Sequence, residues 1–273
     1  MSSDRKIYKV ITCYNNMELI KNTIKVGNSA GVLLPKEFLN TQVKVVLQPL
    51  NIEKDILEIL LEKKMLKDVL GVYLIGSYAR KEQTIESDID VLVITDNLND
   101  KINRGKYDLM LVSKELVDEK MEKNILPLLP MIIEAKPIIN QALIKNYINT
   151  PLTKRNLKWH IDTTKSAMRV VKESIKLAKE SNIKIGDAYA YSLILRLRTL
   201  YIIDCLRKGK LWKKEEFLNL IKKISGNLTA YERYISSKNK NTLERKLPID
   251  EAKRLMEYVN KKNDEVEKWL LQK

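Results

Sequence analysis

The chain has 273 residues and a formal net charge of +15, with 50 Lys and Arg against 35 Asp and Glu. Its longest apolar run, 125–133, is interrupted by two prolines and is far shorter than the roughly 20 residues that a membrane-spanning helix needs. No signal peptide is apparent at the start, so we expect a cytoplasmic protein. One histidine and two cysteines are too few for a zinc site or a Ser-His-Asp triad, so any metal has to be held by carboxylates.

The two cysteines and the histidine are expected to be structural. Cys13 and Cys205 are far apart in sequence, and in a reducing compartment both should be unbridged small hydrophobes. His160 has no Cys or His neighbour with which to form a site. The abundance of Lys, Glu and Ile is typical of an archaeal or thermophilic protein.

The charge is unevenly distributed along the chain. Lys and Arg exceed Asp and Glu by 4 in residues 1–50 and by 14 in residues 150–273, whereas residues 51–149 carry 17 acidic and 14 basic residues. We predict an α+β protein of three domains: a small β domain over 1–50, a mixed α and β domain over 51–149 and a helical bundle over 150–273. The basic bundle favours a polyanionic partner, although interleaved Lys and Glu are equally typical of a solvated helical surface.

Residues 6–48 are predicted to be rich in β structure. Two strand patterns are followed by a glycine-containing turn, a single helical turn opened by Pro35, and a last strand over 43–47. So few large side chains make a thin core, and self-association is the expected solution.

Within this segment the sequence VGNSAGVLLPKEFL, residues 26–39, resembles the AbrB, MazE and SpoVT swapped-hairpin domains. The resemblance implies an intertwined homodimer that either binds DNA or serves only for dimerisation. A DNA-binding face would be built from basic side chains and the turn: Lys9, Lys21, Lys25, Asn28, Ser29 and Lys36.

The rest of the chain alternates helix and strand before it becomes helical. An amphipathic helix is predicted over 51–69, strands over 72–75, 91–94, 107–112 and 131–139, and a helix over 116–123. From residue 153 onward we predict helices near 154–181, 187–208, 213–225, 228–238 and 249–271.

Two aspartates interrupt an otherwise apolar strand pattern. Asp88 and Asp90 stand at i and i+2, so their side chains point to the same side of the strand. Two carboxylates about 5 Å apart repel by about 3 kcal/mol at an effective dielectric constant near 20. Such a pair must lie in solvent, share a proton or bind a cation.

The surrounding residues favour a cation beside a phosphate. Gly76 and Ser77 follow an apolar strand at the start of a predicted helix, where N–H groups and the hydroxyl can bind phosphate oxygens. Asp108 lies in another apolar strand, and if that strand pairs beside the first, three carboxylates meet at one edge of the sheet. Mg²⁺ binds through a few carboxylates and substrate phosphates, so this arrangement is typical of phosphoryl or nucleotidyl transfer.

The stretch GSYARKEQTIESDIDVLVI, residues 76–94, resembles the nucleotidyltransferase superfamily related to DNA polymerase β, in particular its minimal members similar to kanamycin nucleotidyltransferase. The resemblance implies transfer of a nucleoside monophosphate from an NTP, with ATP as the expected substrate, to an acceptor hydroxyl. It implies two Mg²⁺ ions held by Asp88, Asp90 and Asp108, of which Asp108 also helps to activate the acceptor. The implied nucleotide contacts are Gly76, Ser77, Arg80 and Ser87.

Two residues of this stretch leave questions open. Arg80 is equally compatible with a phosphate contact and with a surface ion pair. Lys81 stands where the resembled family usually has glycine, and we expect it to continue the helix.

The helical segment adds further candidates. Arg196 and Arg198 are two residues apart on an apolar helix, so they face different directions. Each is expected either to pair with Asp187 or Asp204 or to contact a ligand. The tryptophans are expected to pack in the core or at helix ends: Trp159, Trp212 and Trp269.

The sequence thus supports two functional hypotheses. The first is a Mg²⁺-dependent nucleotidyltransferase acting on RNA or a protein hydroxyl, since a basic bundle disfavours cationic small molecules such as aminoglycosides. The alternative is a DNA-binding transcriptional regulator whose transferase domain senses nucleotide without turnover. A pure sensor has no need of a third aspartate, which counts against the alternative.

Overall fold

The computed structural model describes residues 11–13, 16–19, 21, 23–46, 51–181, 185–238 and 247–272. The chain divides into two compact units, 1–50 and 51–273. The predicted mixture of helices and a small sheet is confirmed, whereas the swapped hairpin stays a prediction. No helix in the described ranges combines the length and the apolar character needed to cross a membrane.

The described part of the first unit contains two antiparallel hairpins. Strand β1 (Ile11–Cys13) pairs with β2 (Asn16–Glu18), and β3 (Ile24–Val26) pairs with β4 (Ser29–Gly31). Gly27 lies in the β3–β4 turn at φ +58°, a left-handed conformation that glycine adopts without a steric penalty.

After the hairpins, Lys36–Phe38 forms the single helical turn predicted behind Pro35. The predicted last strand over 43–47 is wrong: residues 41–46 form no strand, and residue 47 lies outside the described residues. An alternating pattern makes a strand only where a neighbouring segment completes the hydrogen-bonded ladder, and no described segment of this unit pairs with it.

The second unit is built on a five-stranded mixed sheet with the order β7-β8-β6-β5-β9. Strands β6 and β8 are parallel, and the other neighbouring pairs are antiparallel. The strands are β5 (Val69–Leu74), β6 (Ile89–Thr95), β7 (Asp100–Arg104), β8 (Tyr107–Ser113) and β9 (Lys136–Ile139).

Helices cover the sheet and form the bundle. They are α1 (Ile52–Glu62), α2 (Gly76–Arg80), α3 (Lys114–Lys123), α4 (Leu129–Glu134), α5 (Gln141–Ile148), α6 (Lys154–Glu180), α7 (Asp187–Arg207), α8 (Lys214–Ser225), α9 (Thr229–Lys238) and α10 (Ile249–Leu271). The predicted helices from residue 154 onward are confirmed to within one residue at each end. Helix α6 begins at a capping box in which Thr153 and Asn156 satisfy each other's backbone N–H groups.

Alternation along β6 divides its side chains between two cores. Ile89, Val91 and Val93 pack with α1 on one face of the sheet. Leu92 and Ile94 belong to the larger core that includes the bundle helices. Because side chains alternate, Asp90 lies on the same side as Leu92 and Ile94, at the start of the strand. The apolar residues of β6 therefore determine where Asp90 points.

Two predictions about the second unit are wrong in detail, and two elements were missed. The helix predicted over 51–69 ends at residue 62, and a short 3₁₀ turn, Leu66–Asp68, precedes β5. The strand predicted over 131–139 is helix α4 followed by β9, because Pro130 in the first turn of α4 suits a helix start. Edge strand β7 and helix α5 were not predicted, and in β7 only Ile102 is buried.

Candidate active site

Strands β6 and β8 place Asp90 and Asp108 side by side. The two residues are register partners in the parallel ladder, and neighbouring strands lie about 4.8 Å apart. Asp88 lies immediately before β6 and is exposed. Burial raises the pKa of Asp90, and the negative charges of Asp108, Asp88 and Glu134 raise it further. The other two predicted aspartates and Glu134 therefore lie close enough for their charges to disfavour ionisation of Asp90.

Gly76 lies directly against Asp90. Its φ is +70°, and a Cβ added there would lie 2.3 Å from Oδ2 and 3.1 Å from Cγ of the Asp90 carboxylate. Both the backbone conformation and the lack of space therefore require glycine. The N–H of Ile75 donates to the Asp90 carbonyl oxygen at 3.0 Å, which holds the turn from β5 into α2 against the start of β6.

The two predicted serines differ in their surroundings. Ser77 is half-buried, and its hydroxyl has no hydrogen-bond partner among the described residues. The Ser87 hydroxyl accepts the N–H of Thr84 at 2.8 Å and lies 3.1 Å from the Thr84 hydroxyl. Ser87 thus stabilises the turn that immediately precedes Asp88.

Of the two possibilities for Arg80 the structure shows an ion pair, but a largely buried one, since the side chains of Arg80 and Glu134 are 11% and 5% exposed. Arg80 Nη1 donates to Glu134 Oε2 at 2.7 Å, and its Nε donates to Glu82 Oε2 at 2.9 Å. The other Glu134 oxygen, Oε1, accepts the N–H of Gly76 at 2.9 Å. The Gly76 N–H, predicted as a phosphate donor, is thus engaged by a carboxylate. Sequence reasoning missed Glu134, which stands alone in an apolar run.

Lys81 ends α2, so the prediction that it continues the helix is wrong. Its φ is +60° and its ψ is +35°, in the left-handed region, and its N–H donates back to the carbonyls of Ser77 and Tyr78. A left-handed residue is needed here to turn the chain out of the helix. Glycine, which the resembled family usually has at this position, adopts this conformation more easily than lysine.

The third aspartate has a cationic partner. Lys101 Nζ, on the edge strand β7, lies 2.8 Å from Asp108 Oδ2, and this contact raises the pKa of Lys101. Within the described ranges, no three His, Cys, Asp or Glu side chains are already arranged to enclose a metal ion. The donor set still fits a hard divalent cation, since it offers only carboxylate oxygens that repel one another. A cation bound at Asp108 would compete with Lys101.

The bundle approaches this site through Trp212, in the connection between α7 and α8. The Trp212 ring lies 4.3 Å from the guanidinium carbon of Arg80 and 4.9 Å from that of Arg198. Both distances are within the range of cation–π attraction. Trp212 therefore links the Arg80 network of the sheet to the bundle.

The predicted ion pairs of Arg196 and Arg198 with Asp187 or Asp204 are wrong. Asp187 pairs with the buried Arg233, and Asp204 pairs with Lys208. Arg196 instead donates to the Thr163 hydroxyl at 3.1 Å and lies 5.9 Å from the Trp159 ring. The two arginines thus face different directions, as their spacing predicts.

His160 and Cys205 are buried in the bundle. Burial lowers the pKa of His160 to about 4, with a further contribution from Arg196. Burial also raises the pKa of the Cys205 thiol. The side chain of Cys13 lies outside the described part of the chain.

The predicted DNA-binding residues are described only in part. Asn28, Ser29 and Lys36 are exposed. Lys9 and the side chain of Lys25 lie outside the described part of the first unit.

Comparison with known proteins identifies the class of domain that holds this site. Residues 53–170 match the model of the nucleotidyltransferase domain family. The matched span contains the glycine turn, all three aspartates and Glu134. The chain therefore contains a nucleotidyltransferase domain, as predicted.

Two solved structures are similar at low identity. One is a nucleotidyltransferase-like protein from Exiguobacterium sibiricum, with 15% identity and a TM-score of 0.39 over 79% of this chain and 75% of that one. The other is a spectinomycin adenyltransferase from Enterococcus faecialis, solved with ATP and spectinomycin, with 14% identity and a TM-score of 0.39 over 78% of this chain and 98% of that one. No curated protein sequence matched the chain significantly. With both TM-scores below 0.5, the assignment depends on the domain match.

Proposed function

We propose that the chain transfers a nucleoside monophosphate from an NTP, with ATP as the expected donor, to an acceptor hydroxyl in a Mg²⁺-dependent reaction. The observation that carries the proposal is the pairing of Asp90 with Asp108 on adjacent parallel strands, with the Asp90 carboxyl packed against Gly76. The proposal is supported by the position of these two carboxylates at one end of the sheet, close to the Gly76 turn.

Each residue has a defined part in this proposal. Asp88, Asp90 and Asp108 would hold Mg²⁺, which supplies charge neutralisation on the phosphates and lowers the pKa of the acceptor hydroxyl. The Ser77 hydroxyl, which has no partner among the described residues, would donate to a phosphate oxygen. The acceptor oxygen forms a bond to the α-phosphorus, the bond from that phosphorus to the β-phosphate oxygen breaks, and pyrophosphate leaves. Asp108 takes the proton of the hydroxyl once its carboxylate is released by Lys101.

The chemical class of the acceptor is proposed from the net charge of the helical bundle. Residues 150–273 carry 29 Lys and Arg against 15 Asp and Glu. Such a surface favours RNA, or a hydroxyl on an acidic protein surface, over a cationic small molecule.

Transfer from labelled nucleotides tests the proposal directly. The wild-type protein, incubated with Mg²⁺, an α-labelled NTP and separate RNA, protein and metabolite fractions, should label one fraction and release pyrophosphate, whereas γ-labelled NTP should label none. Asp90→Asn and Asp108→Asn should abolish labelling with unchanged circular dichroism. Asp96→Asn is the matched control, because Asp96 directly follows the opposite end of β6. Undiminished labelling by both site variants would refute the mechanism.

One observation favours a second function, a nucleotide sensor without turnover. The ion pair between Lys101 and Asp108 occupies one oxygen of the third carboxylate, which would weaken the binding of a metal ion there. A sensor would bind NTP and change the DNA affinity of the first unit without releasing pyrophosphate. Pyrophosphate release in the labelling experiment would exclude it.

We further propose that the first unit mediates homodimerisation. Seven large apolar side chains in the described part of this unit are exposed, which is unfavourable for a unit of this size alone. The exposed fraction is 62% at Val45 and 65% at Leu33, and the others are Ile24, Val26, Leu39, Val43 and Val46. A second copy of the same unit would cover them and give the unpaired segment 41–46 a strand partner.

Light scattering after size exclusion tests this proposal. The wild-type chain should be a dimer, and Leu33→Asp together with Val45→Asp should make it monomeric. Leu61→Asp is the control, since Leu61 is equally exposed but belongs to the second unit. A monomeric wild-type chain would contradict the proposal.

DNA binding by Asn28, Ser29 and Lys36 remains a prediction. If it is right, Lys36→Gln should reduce the salt dependence of duplex binding by about one phosphate contact.

A further inference from the structure

Glu134 is a buried carboxylate that serves two donors from the same short helix. Its side chain is 5% exposed. Oε1 accepts the N–H of Gly76 at 2.9 Å, and Oε2 accepts Nη1 of Arg80 at 2.7 Å. These two donors are the first and last residues of α2. A single side chain from α4 therefore holds both ends of this helix.

Helix α2 needs such an anchor. A helix of five residues has too few internal hydrogen bonds to be stable by itself. Its first residue, Gly76, leaves no room for even a methyl group beside the Asp90 carboxylate. A shift of α2 relative to α4 would therefore change the surroundings of Asp90 directly.

We propose that Glu134 is a positioning residue of the active site, which anchors the Gly76 turn against Asp90 by accepting from Gly76 and Arg80 together. This inference depends on the proposed function for its catalytic consequence, but the anchor itself can be tested without turnover. Glu134 acts through Gly76 and is not proposed to touch the nucleotide. A carboxylate is required because both oxygens accept, and one of them faces a guanidinium.

The second acidic partner of Arg80 provides a matched control. Glu82 Oε2 accepts from Arg80 Nε at 2.9 Å, but no hydrogen bond joins Glu82 to the N–H of Gly76. Glu82→Ala therefore removes a negative partner of Arg80 and leaves the Gly76 anchor in place. If Glu134 mattered only as an ion-pair partner of Arg80, the two positions would behave alike.

Hydrogen exchange of the Gly76 amide, followed by NMR in the full-length protein, tests the anchor. In Glu134→Ala the exchange should be at least about tenfold faster than in the wild type. Loss of the acceptor should lower the free energy of opening at Gly76 by at least about RT ln 10, which corresponds to a factor of ten in the exchange rate. In Glu82→Ala it should be unchanged. Unchanged Gly76 exchange in Glu134→Ala would overturn the proposal.

Enzyme kinetics test whether the Glu134 anchor affects catalysis. In Glu134→Ala the kcat for NMP transfer should fall about 100-fold, as for a small misplacement of a reacting group, while the KM for NTP changes much less. Glu134→Gln has the same length and keeps one acceptor oxygen for Gly76, so it should recover part of kcat and restore slow exchange even where the Ala variant folds poorly. A kcat for Glu134→Ala equal to that of Glu82→Ala would overturn the positioning role. A wild-type protein that transfers nothing would instead refute the proposed function, and the exchange experiment would still decide the anchor.

Discussion

Replacing Gly76 by alanine tests how closely the glycine turn meets the active-site aspartate. Two destabilising contributions add when alanine replaces Gly76. The left-handed backbone, at φ +70°, costs an L-residue about 1–2 kcal/mol. The new methyl group would lie 2.3 Å from Asp90 Oδ2 and 3.2 Å from Asp90 Cβ. The first atom can rotate away, but the second belongs to the base of a side chain on a central strand.

Overpacking of this kind typically costs about 1–3 kcal/mol, so we expect Gly76→Ala to destabilise the protein by about 2–5 kcal/mol. Gly226→Ala is the matched control, because Gly226 has φ +87° and nothing lies within 4 Å of its added Cβ. It should lose only the backbone contribution of about 1–2 kcal/mol. Gly226 follows α8 in the bundle, so this variant should retain full transfer activity.

Thermal unfolding followed by tryptophan fluorescence measures the difference, since all three tryptophans lie in the second unit. Each kcal/mol corresponds to about 2–4 °C in Tm for a unit of this size. In an Asp90→Ala background the extra cost of Gly76→Ala should shrink, because the two closest contacting atoms are removed. Equal Tm losses for Gly76→Ala and Gly226→Ala, with activity retained in both, would refute the close approach of Gly76 and Asp90.

Three further predictions concern single side chains. Lys101→Met removes the ammonium from Asp108, so Mg²⁺ should raise Tm at a lower concentration than in the wild type; an unchanged or higher requirement would show that Lys101 does not compete with the cation. Lys81→Gly relieves a left-handed residue and should raise Tm by about 2–4 °C, corresponding to about 1 kcal/mol, whereas Lys81→Ala should not. The folded protein keeps His160 neutral down to pH about 4, whereas the unfolded chain takes up a proton near 6.5, so stability is full above pH 6.5 and falls as the pH is lowered. Urea unfolding should show a loss of about 1.4 kcal/mol between pH 8 and 5.5 that is absent in His160→Gln; the same slope in both proteins would assign the effect elsewhere.

The parts of the fold that were predictable are those whose cause lies within a few residues. The alternation of Ile89, Val91 and Val93 against Asp90 defines a strand and its two faces without knowledge of any neighbour. The bundle helices are bounded by Gly and Pro residues that end or begin helices by their own backbone preferences. The sequence predicts that Asp90 and Asp108 meet only if their strands pair. Nothing local decides which strands become neighbours.

Prediction failed where the structure of a segment depends on residues far away in the sequence, or where the local sequence has neither a helical nor a strand period. Residues 125–139 are apolar almost throughout, so neither a helical nor a strand period is apparent, and only Pro130 favours the helix that forms. Lysine has a good intrinsic helix preference, which favours a continued helix at Lys81. The chain instead turns there, and Glu82, two residues after Arg80, accepts from Arg80 Nε.

Glu134 shows most clearly which kind of residue cannot be predicted from the sequence. Its partners Gly76 and Arg80 are 58 and 54 residues earlier in the chain, so no spacing rule connects them. A single acidic residue at the end of an apolar helix is as typical of a solvent-facing helix terminus as of a buried acceptor. Only the packing of α4 against α2 decides between these, and that packing follows from β5 lying between β6 and β9 in the sheet. Residues that position a site from another element can therefore be identified only after the strand order is known, whereas those that carry its motif can be found beforehand.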